Sequence, residues 1–223
     1  MLIPISYALN KDIPLYPGSP NVAFSQVRSI ANNSSANTSM FSFGNHSGTH
    51  IDVPLHFCDK GQSVTDILKL ENIYSPAICI NVPKEPGSHI SEADLEPFAE
   101  QISNVEALLI RTGFFKYRQT QPEMYATSHP WISPEVPKYL RETCPFLKVV
   151  GLDTISISNP SHREEGHVSH RAFLCNKFPI MLLEDTDLSN PGLPGKNFIL
   201  HLYPWILDKV DATPVTALVD LNG

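Results

Sequence analysis

With 223 residues, 42% of them hydrophobic and 17% charged, the chain has the make-up of one globular domain over 1–223 with a substantial core, and disorder is excluded. A net charge of −7 gives no electrostatic case for nucleic acid or an anionic membrane as partner. No stretch approaches the roughly 20 apolar residues of a membrane-spanning helix, and Met1-Leu2-Ile3-Pro4-Ile5-Ser6 has neither the basic region nor the apolar run of a signal peptide, so a cytoplasmic location is expected.

In chain order, residues 1–20 read as a short strand and a turn at Tyr16-Pro17-Gly18-Ser19-Pro20. Asn21 to Ile30 reads as a strand and 31–36 as a polar loop. Thr38 to Phe43 reads as a strand that delivers the chain into a histidine-rich stretch. After Lys60-Gly61, Ser63 caps a short helix from Val64 to Leu70. Pro76 to Val82 is a compact strand. Ser91 and Asp94 form a capping box, and Ile90 and Leu95 a hydrophobic staple, for a helix running to about Ile102. Glu106 to Arg111 is a buried strand closed by Thr112-Gly113.

Residues 114–130 read as an irregular, polar surface excursion, a lid or a subunit contact. Ser133-Pro134 starts a helix, with serine as cap and proline at the first helical position, that ends near Cys144-Pro145. Leu147 to Leu152 is a buried strand ending at Asp153. Residues 159–166 read as a loop, His170 to Asn176 as a helix, and Ile180 to Leu183 as a strand ending in Glu184. Phe198 to Tyr203 and Pro214 to Val219 close the chain as strands. Strands alternating with helices indicate an α/β fold. The strand at 38–43 and the closing strands make the sheet mixed, with helices flanking it. Cys58, Cys79, Cys144 and Cys175 are scattered without a CxxC pair, which predicts reduced thiols and leaves Cys58 open as a reactive thiol or a bystander.

The chemistry concentrates in His46-Ser47-Gly48-Thr49-His50-Ile51-Asp52-Val53-Pro54-Leu55-His56-Phe57. His46, His50, Asp52 and His56 all fall at even positions, so an extended backbone puts them on one face and the mostly apolar odd residues on the other. A straight strand at ~3.3 Å per residue would hold His46 and His56 roughly 33 Å apart. The outer histidines must therefore fold back, at Gly48 and Pro54. His50 and Asp52, about 6.6 Å apart between α-carbons on the same rise, can share one ion or two adjacent ones. Imidazole with carboxylate suits zinc, manganese or ferrous iron.

The same twelve residues resemble the signature of the cyclase family of metal-dependent hydrolases, which includes the bacterial kynurenine formamidases. That signature, His-x-Gly-Thr-His-x-Asp-x-Pro-x-His-Phe, is matched at every defined position. The resemblance extends to Arg111-Thr112-Gly113 and Gly151-Leu152-Asp153-Thr154, and it implies the swivelling β/β/α fold. It also implies that a histidine and a glutamate from the C-terminal half complete the metal site. Glu184 ends a strand where an α/β site opens. Its competing reading is a surface glutamate in the acidic run 184–187. His170 is the expected histidine and His167 the reserve, with His162 in the same region, whereas His89, His129 and His201 are expected to be structural or superficial.

The activity implied is hydrolysis of a small amide by a metal-activated water, most specifically of N-formylkynurenine to kynurenine and formate. A cyclic amide, an imide or a lactone stays open as substrate, and so does metal binding without catalysis. In the two-ion form Asp52 and Glu184 bridge, with His46 and His50 on one zinc or manganese ion and His56 and His170 on the other. In a one-ion form His56 or Glu184 is free to move protons as the catalytic acid and base. Tyr16, Phe24, Phe57 and Trp131 are available to stack on an aryl ring. A homodimer or higher homo-oligomer is expected from the family and from the prevalence of two-fold assemblies.

Overall fold

The computed structural model describes residues 1–68 and 72–221. Its strands are β1 (Leu2–Pro4), β2 (Ala23–Arg28), β3 (Thr38–Ser42), β4 (His50–Asp52), β5 (Ile73–Asn81), β6 (His89–Ile90), β7 (Ala107–Arg111), β8 (Trp131–Ile132), β9 (Val149–Leu152), β10 (Met181–Glu184), β11 (Asn197–Pro204) and β12 (Ala212–Asp220). Eight of them form one sheet in the order β1-β12-β11-β5-β7-β9-β10-β4, and β12 also pairs with β4. The sheet therefore curls into a barrel-like ring. β4 and β1 share one edge of β12, opposite Ala212–Pro214 and Leu218–Asp220 respectively. The run β5-β7-β9-β10 is parallel, and β4, β11, β12 and β1 are joined antiparallel, so the fold is α/β with a mixed sheet.

Period-two alternation divides the core. Ala77, Cys79, Ala107, Leu109, Val149, Met181 and Leu183 join Ile51, Phe198, Leu200 and Ala217 in a cluster drawn from strands all round the ring. Their neighbours Ile78, Ile80, Leu108, Ile110, Val150 and Leu182 face outward and pack under Leu95, Ile102, Val136, Leu140, Phe173 and Leu174 of the helices. Both faces of the parallel strands are thus covered, as their unbroken apolar runs require. Each such aliphatic side chain stabilises the fold by about 1.5–3 kcal/mol on burial. Among the described residues no helix is long and apolar enough to cross a membrane.

Several elements differ from expectation. β2 and β3 pair only with each other, so this hairpin lies outside the main sheet, whose mixed character comes from β4 and the terminal strands. The helix expected over 64–70 is seen as Val64–Leu68, and residues 69–70 lie outside the described ones. The capping box at Ser91 and Asp94 is present, but Pro97, which has no N–H to donate, breaks the helix into Glu92–Leu95, a 3₁₀ turn and Ala99–Ile102. Residues 114–130 are largely helical and not a surface excursion. Phe114 and Tyr125 are fully buried, and Arg118 is buried in a bidentate pair with Asp185. The helix after Ser133 starts at Val136, with Pro137 in its first turn, because the Ser133 hydroxyl donates to the Ile90 carbonyl instead of capping.

A long helix, Arg163–Leu174, occupies most of the segments expected as a loop at 159–166 and a short helix from His170. It buries Gly166, Ser169, His170, Phe173 and Leu174, a helical stripe in which three of the five residues are not hydrophobic. Cys79 and Cys144 are free, buried thiols, each pushed up to about 12 by desolvation. Cys58 and Cys175, in contrast, are joined in a disulfide with α-carbons 5.6 Å apart. The expectation of reduced thiols fails for this pair because the helix packs its C-terminal end against the turn that follows the histidine motif.

Candidate metal centre

Only His50–Asp52 of the motif is strand. Gly48 takes φ +70°, a conformation that side chains disfavour, and Pro54–His56 is a 3₁₀ turn with Pro54 in its first position. These two bends lie where expected. They bring the His46 and His56 rings to 4.2 Å between centroids. β-sheet register supplies two more carboxylates. β10 places Glu184 opposite His50, and β12 places Ala212, next to Asp211, opposite Asp52. The Arg163–Leu174 helix adds His170. A methyl at Gly166 would lie 1.9 Å from Ser158 Oγ, so only glycine lets the helix sit this close.

The six expected residues meet at one end of the ring. Asp52 Oδ1 lies 2.9 Å from His46 Nδ1 and 3.4 Å from His50 Nε2, and His50 Nε2 is 3.3 Å from Glu184 Oε2. On the other side Asp52 Oδ2 is 3.7 Å from His56 Nε2 and 3.9 Å from His170 Nε2, which is 3.7 Å from Glu184 Oε1. Each carboxylate so turns one oxygen to each side. His50 Nε2 and both Asp52 oxygens are buried with no aligned hydrogen-bond partner. Buried polar atoms left without aligned partners are costly unless they share a cation. Ligands at ~2.0–2.1 Å in a tetrahedral zinc site lie about 3.3 Å apart, close to the spacing around His50. The donor set therefore fits a divalent ion.

The outer nitrogens fix the tautomers. His50 Nδ1–H donates to the Gly48 carbonyl and His170 Nδ1–H to the Gly166 carbonyl, both at 2.8 Å, which leaves each Nε2 lone pair for the site. His46 Nε2 and His56 Nδ1 instead share Asp211 Oδ2, at 3.0 and 2.8 Å. Although burial opposes it, Asp52 and Asp211 push His46 up to about 10. Burial likewise opposes the rise at His50, which Glu184 and Asp52 impose. Burial would raise Glu184 too, but His170 and His50 hold it well below the usual carboxylate range. Without a metal the Asp52 and Glu184 carboxylates favour the ionised form, and His46 and His50 favour the protons that a cation would displace.

The centre opens into a cavity of about 280 Å³ also lined by Tyr16, Ser19, Phe57, Ile155, Ser158 and His167. Of the four candidate aromatics, Tyr16 and Phe57 are there, and Phe57 stacks on His170 at 4.6 Å. Trp131 stacks on His162 instead, and Phe24 packs on Phe41 in the hairpin. His167 reaches the cavity from the exposed side of its helix. His162 precedes that helix and stands apart from the centre. His129 is fully buried and held neutral by desolvation, with Nε2 on the Ser158 carbonyl. Glu184 is not superficial. It is buried, and its Oε1 accepts from the Ile157 N–H at 2.8 Å. The sequence reading missed Asp211 altogether; its one signal is its place just before the final strand.

A barrel-like mixed sheet carrying a buried histidine–carboxylate cluster that could hold a metal ion defines the class of α/β protein. The chain belongs to the Cyclase family, whose model matches residues 3–159. It is 31% identical over 224 residues to the kynurenine formamidase of Geobacillus thermodenitrificans, covering 99% of this chain and 98% of that one. It is 29% identical to the kynurenine formamidase of Bacillus mycoides, covering 97% and 96%. The fold is similar to that of isatin hydrolase A from Labrenzia aggregata, with a TM-score of 0.81, 16% identity and coverage of 100% and 94%. A predicted metal-dependent hydrolase from Bacillus stearothermophilus superposes with a TM-score of 0.75 at 17% identity, covering 98% and 97%.

Proposed function

We propose that the chain is a metal-dependent hydrolase of a small amide, and that its substrate is N-formylkynurenine, cleaved to kynurenine and formate. The observation that carries this reading is the convergence of His50 Nε2 and both Asp52 oxygens, buried without hydrogen-bond partners, on a cavity large enough for a small molecule. Full-length similarity to two kynurenine formamidases supports the substrate. His46, His50, Asp52, His170 and Glu184 would hold one or two zinc ions, with manganese the alternative. A divalent ion bound there acidifies a water and polarises the scissile carbonyl.

The protein's own groups do the rest. His56 is fixed through Nδ1 on Asp211, so its Nε2 faces the centre. It takes the proton of the attacking water as the new C–O bond forms, and passes it to the aniline nitrogen as the C–N bond breaks. Glu184 is the poorer proton carrier, because Ile157 and Ser156 already occupy its Oε1. Tyr16 and Phe57 offer aromatic faces to the aryl ring.

Hydrolysis of N-formylkynurenine should be lost on chelation and recovered with zinc or manganese. Bound metal without turnover would remove the formamidase assignment and redirect the search to cyclic amides, imides and lactones. A homodimer is part of the proposal. The β2–β3 ribbon pairs with no other strand and leaves Phe24, Met40 and Phe41 exposed, with only Phe41 of the three against Trp205, an apolar surface suited to a second copy. A monomeric mass by light scattering would refute it.

A further inference from the structure

We propose that Asp211 is a positioning residue that sets His46 and His56 together through one carboxylate oxygen, so that a metal ligand and the proton carrier are aimed by the same atom. The inference rests on the metal-dependent reading of the site. Asp211 Oδ2 accepts from His46 Nε2 at 3.0 Å and from His56 Nδ1 at 2.8 Å. The carboxylate thus selects opposite tautomers in the two rings. His46 is left with Nδ1 towards Asp52 Oδ1, and His56 with Nε2 towards Asp52 Oδ2. A lone backbone carbonyl orients one ring each at His50 and His170, but here two rings 4.2 Å apart must be oriented at once.

Asp211 is itself held. Asn45, the neighbour of His46, donates Nδ2–H to Asp211 Oδ1 at 2.7 Å. Val53 N–H donates to the Asp211 carbonyl at 3.1 Å, and the next residue, Ala212, stands in register with Asp52. The residue just before the final strand therefore clamps both ends of the histidine motif from a position 165 residues away from His46. Asp211 does not line the cavity, so it reaches the substrate only through the two histidines. A carboxylate that holds the far nitrogen of a metal-ligating imidazole fixes its tautomer and raises its basicity.

The test is Asp211→Asn in the full chain, assayed for zinc affinity by chelator competition and for turnover at saturating zinc. Asparagine keeps the size but places a donor against Asn45 or against the rings. We expect zinc affinity to fall ~10–100-fold and kcat to fall by a similar factor, with KM within about two-fold of wild type. In a His56→Gln background the same change should leave kcat nearly unmoved, since the two residues act as a unit. Should asparagine prevent folding, Asp211→Ser keeps the backbone bond from Val53 and is read in the same way. Wild-type zinc affinity and kcat in a folded variant would overturn the role of Asp211 alone. A wild-type protein that binds no zinc would overturn the site reading and this inference with it.

Discussion

The four histidines of the centre form two pairs that differ in what grips them from behind. His50 and His170 are buried, and each gives its outer N–H to a backbone carbonyl at 2.8 Å. His46 and His56 are partly exposed and lean on the charged side chain of Asp211. The buried pair is set by main chain, from a bend at Gly48 and a helix packed tightly at Gly166, and its geometry is as rigid as the fold. The outer pair is set by a side chain, so it can be perturbed without disturbing the core. Rigid ligands and a more accessible proton carrier suit a hydrolytic site, which must hold its metal while it exchanges water and product.

The largest expected effect breaks both pairs at once. Asp52 presents one oxygen to His46 and His50 and the other to His56 and His170. Asp52→Asn should abolish turnover and metal binding while circular dichroism shows an intact fold. Retained activity would sink the site assignment. A smaller effect separates the pairs. His56→Gln should lower kcat on the order of 10²–10⁴-fold, as loss of a general base does, yet leave most metal affinity. His170→Gln should instead lower metal affinity, measured in the same chelator competition. Equal metal loss in both variants would erase the distinction between carrier and ligand.

The helix gives a third, milder perturbation. Gly166→Ala drives a methyl into Ser158, and overpacking of this kind costs about 1–3 kcal/mol, so the melting temperature should fall by a few degrees. Because Gly166 also accepts the His170 N–H, metal affinity should fall with it, while the hydrogen bonds of the outer pair, which do not involve this helix, stay unchanged.

How much of this was legible in the sequence follows from the range of the interactions. The motif was readable because its ligands alternate within one short local segment, and Gly48 and Pro54 announce its two bends in their own chemistry. Glu184 was legible as the end of an apolar strand. The Arg163–Leu174 helix was hidden because its buried stripe is built from glycine, serine and histidine as much as from Phe173 and Leu174, so no hydrophobic period showed. Residues 114–130 looked superficial because Arg118 is polar; it is buried only because Asp185, itself held by the Tyr125 hydroxyl, answers it from elsewhere in the chain. Asp211 and the Cys58–Cys175 bridge share that cause. Each depends on a partner more than a hundred residues away, which strand closure or helix packing delivers and local pattern does not encode.

The smallest effect sharpens the comparison by counting protons. His46 has a carboxylate at each nitrogen and is pushed up to about 10, so at neutral pH it carries a proton that a metal must displace. His50 is raised in the same direction by Glu184 and Asp52. Zinc binding at pH 7 should therefore release about one proton or more, read from calorimetry in buffers of different ionisation enthalpy. The release should shrink as pH rises through about 10, where His46 loses its proton, and zinc affinity should climb over the same interval. Below neutrality the proton on His46 stays in place, so this contribution to proton release persists. Zinc binding without proton release at pH 7 would mean that the outer pair is neutral before the metal arrives. Asp211 would then orient His46 as the carbonyls orient His50 and His170, and the charged grip that distinguishes the two pairs would have no chemical consequence.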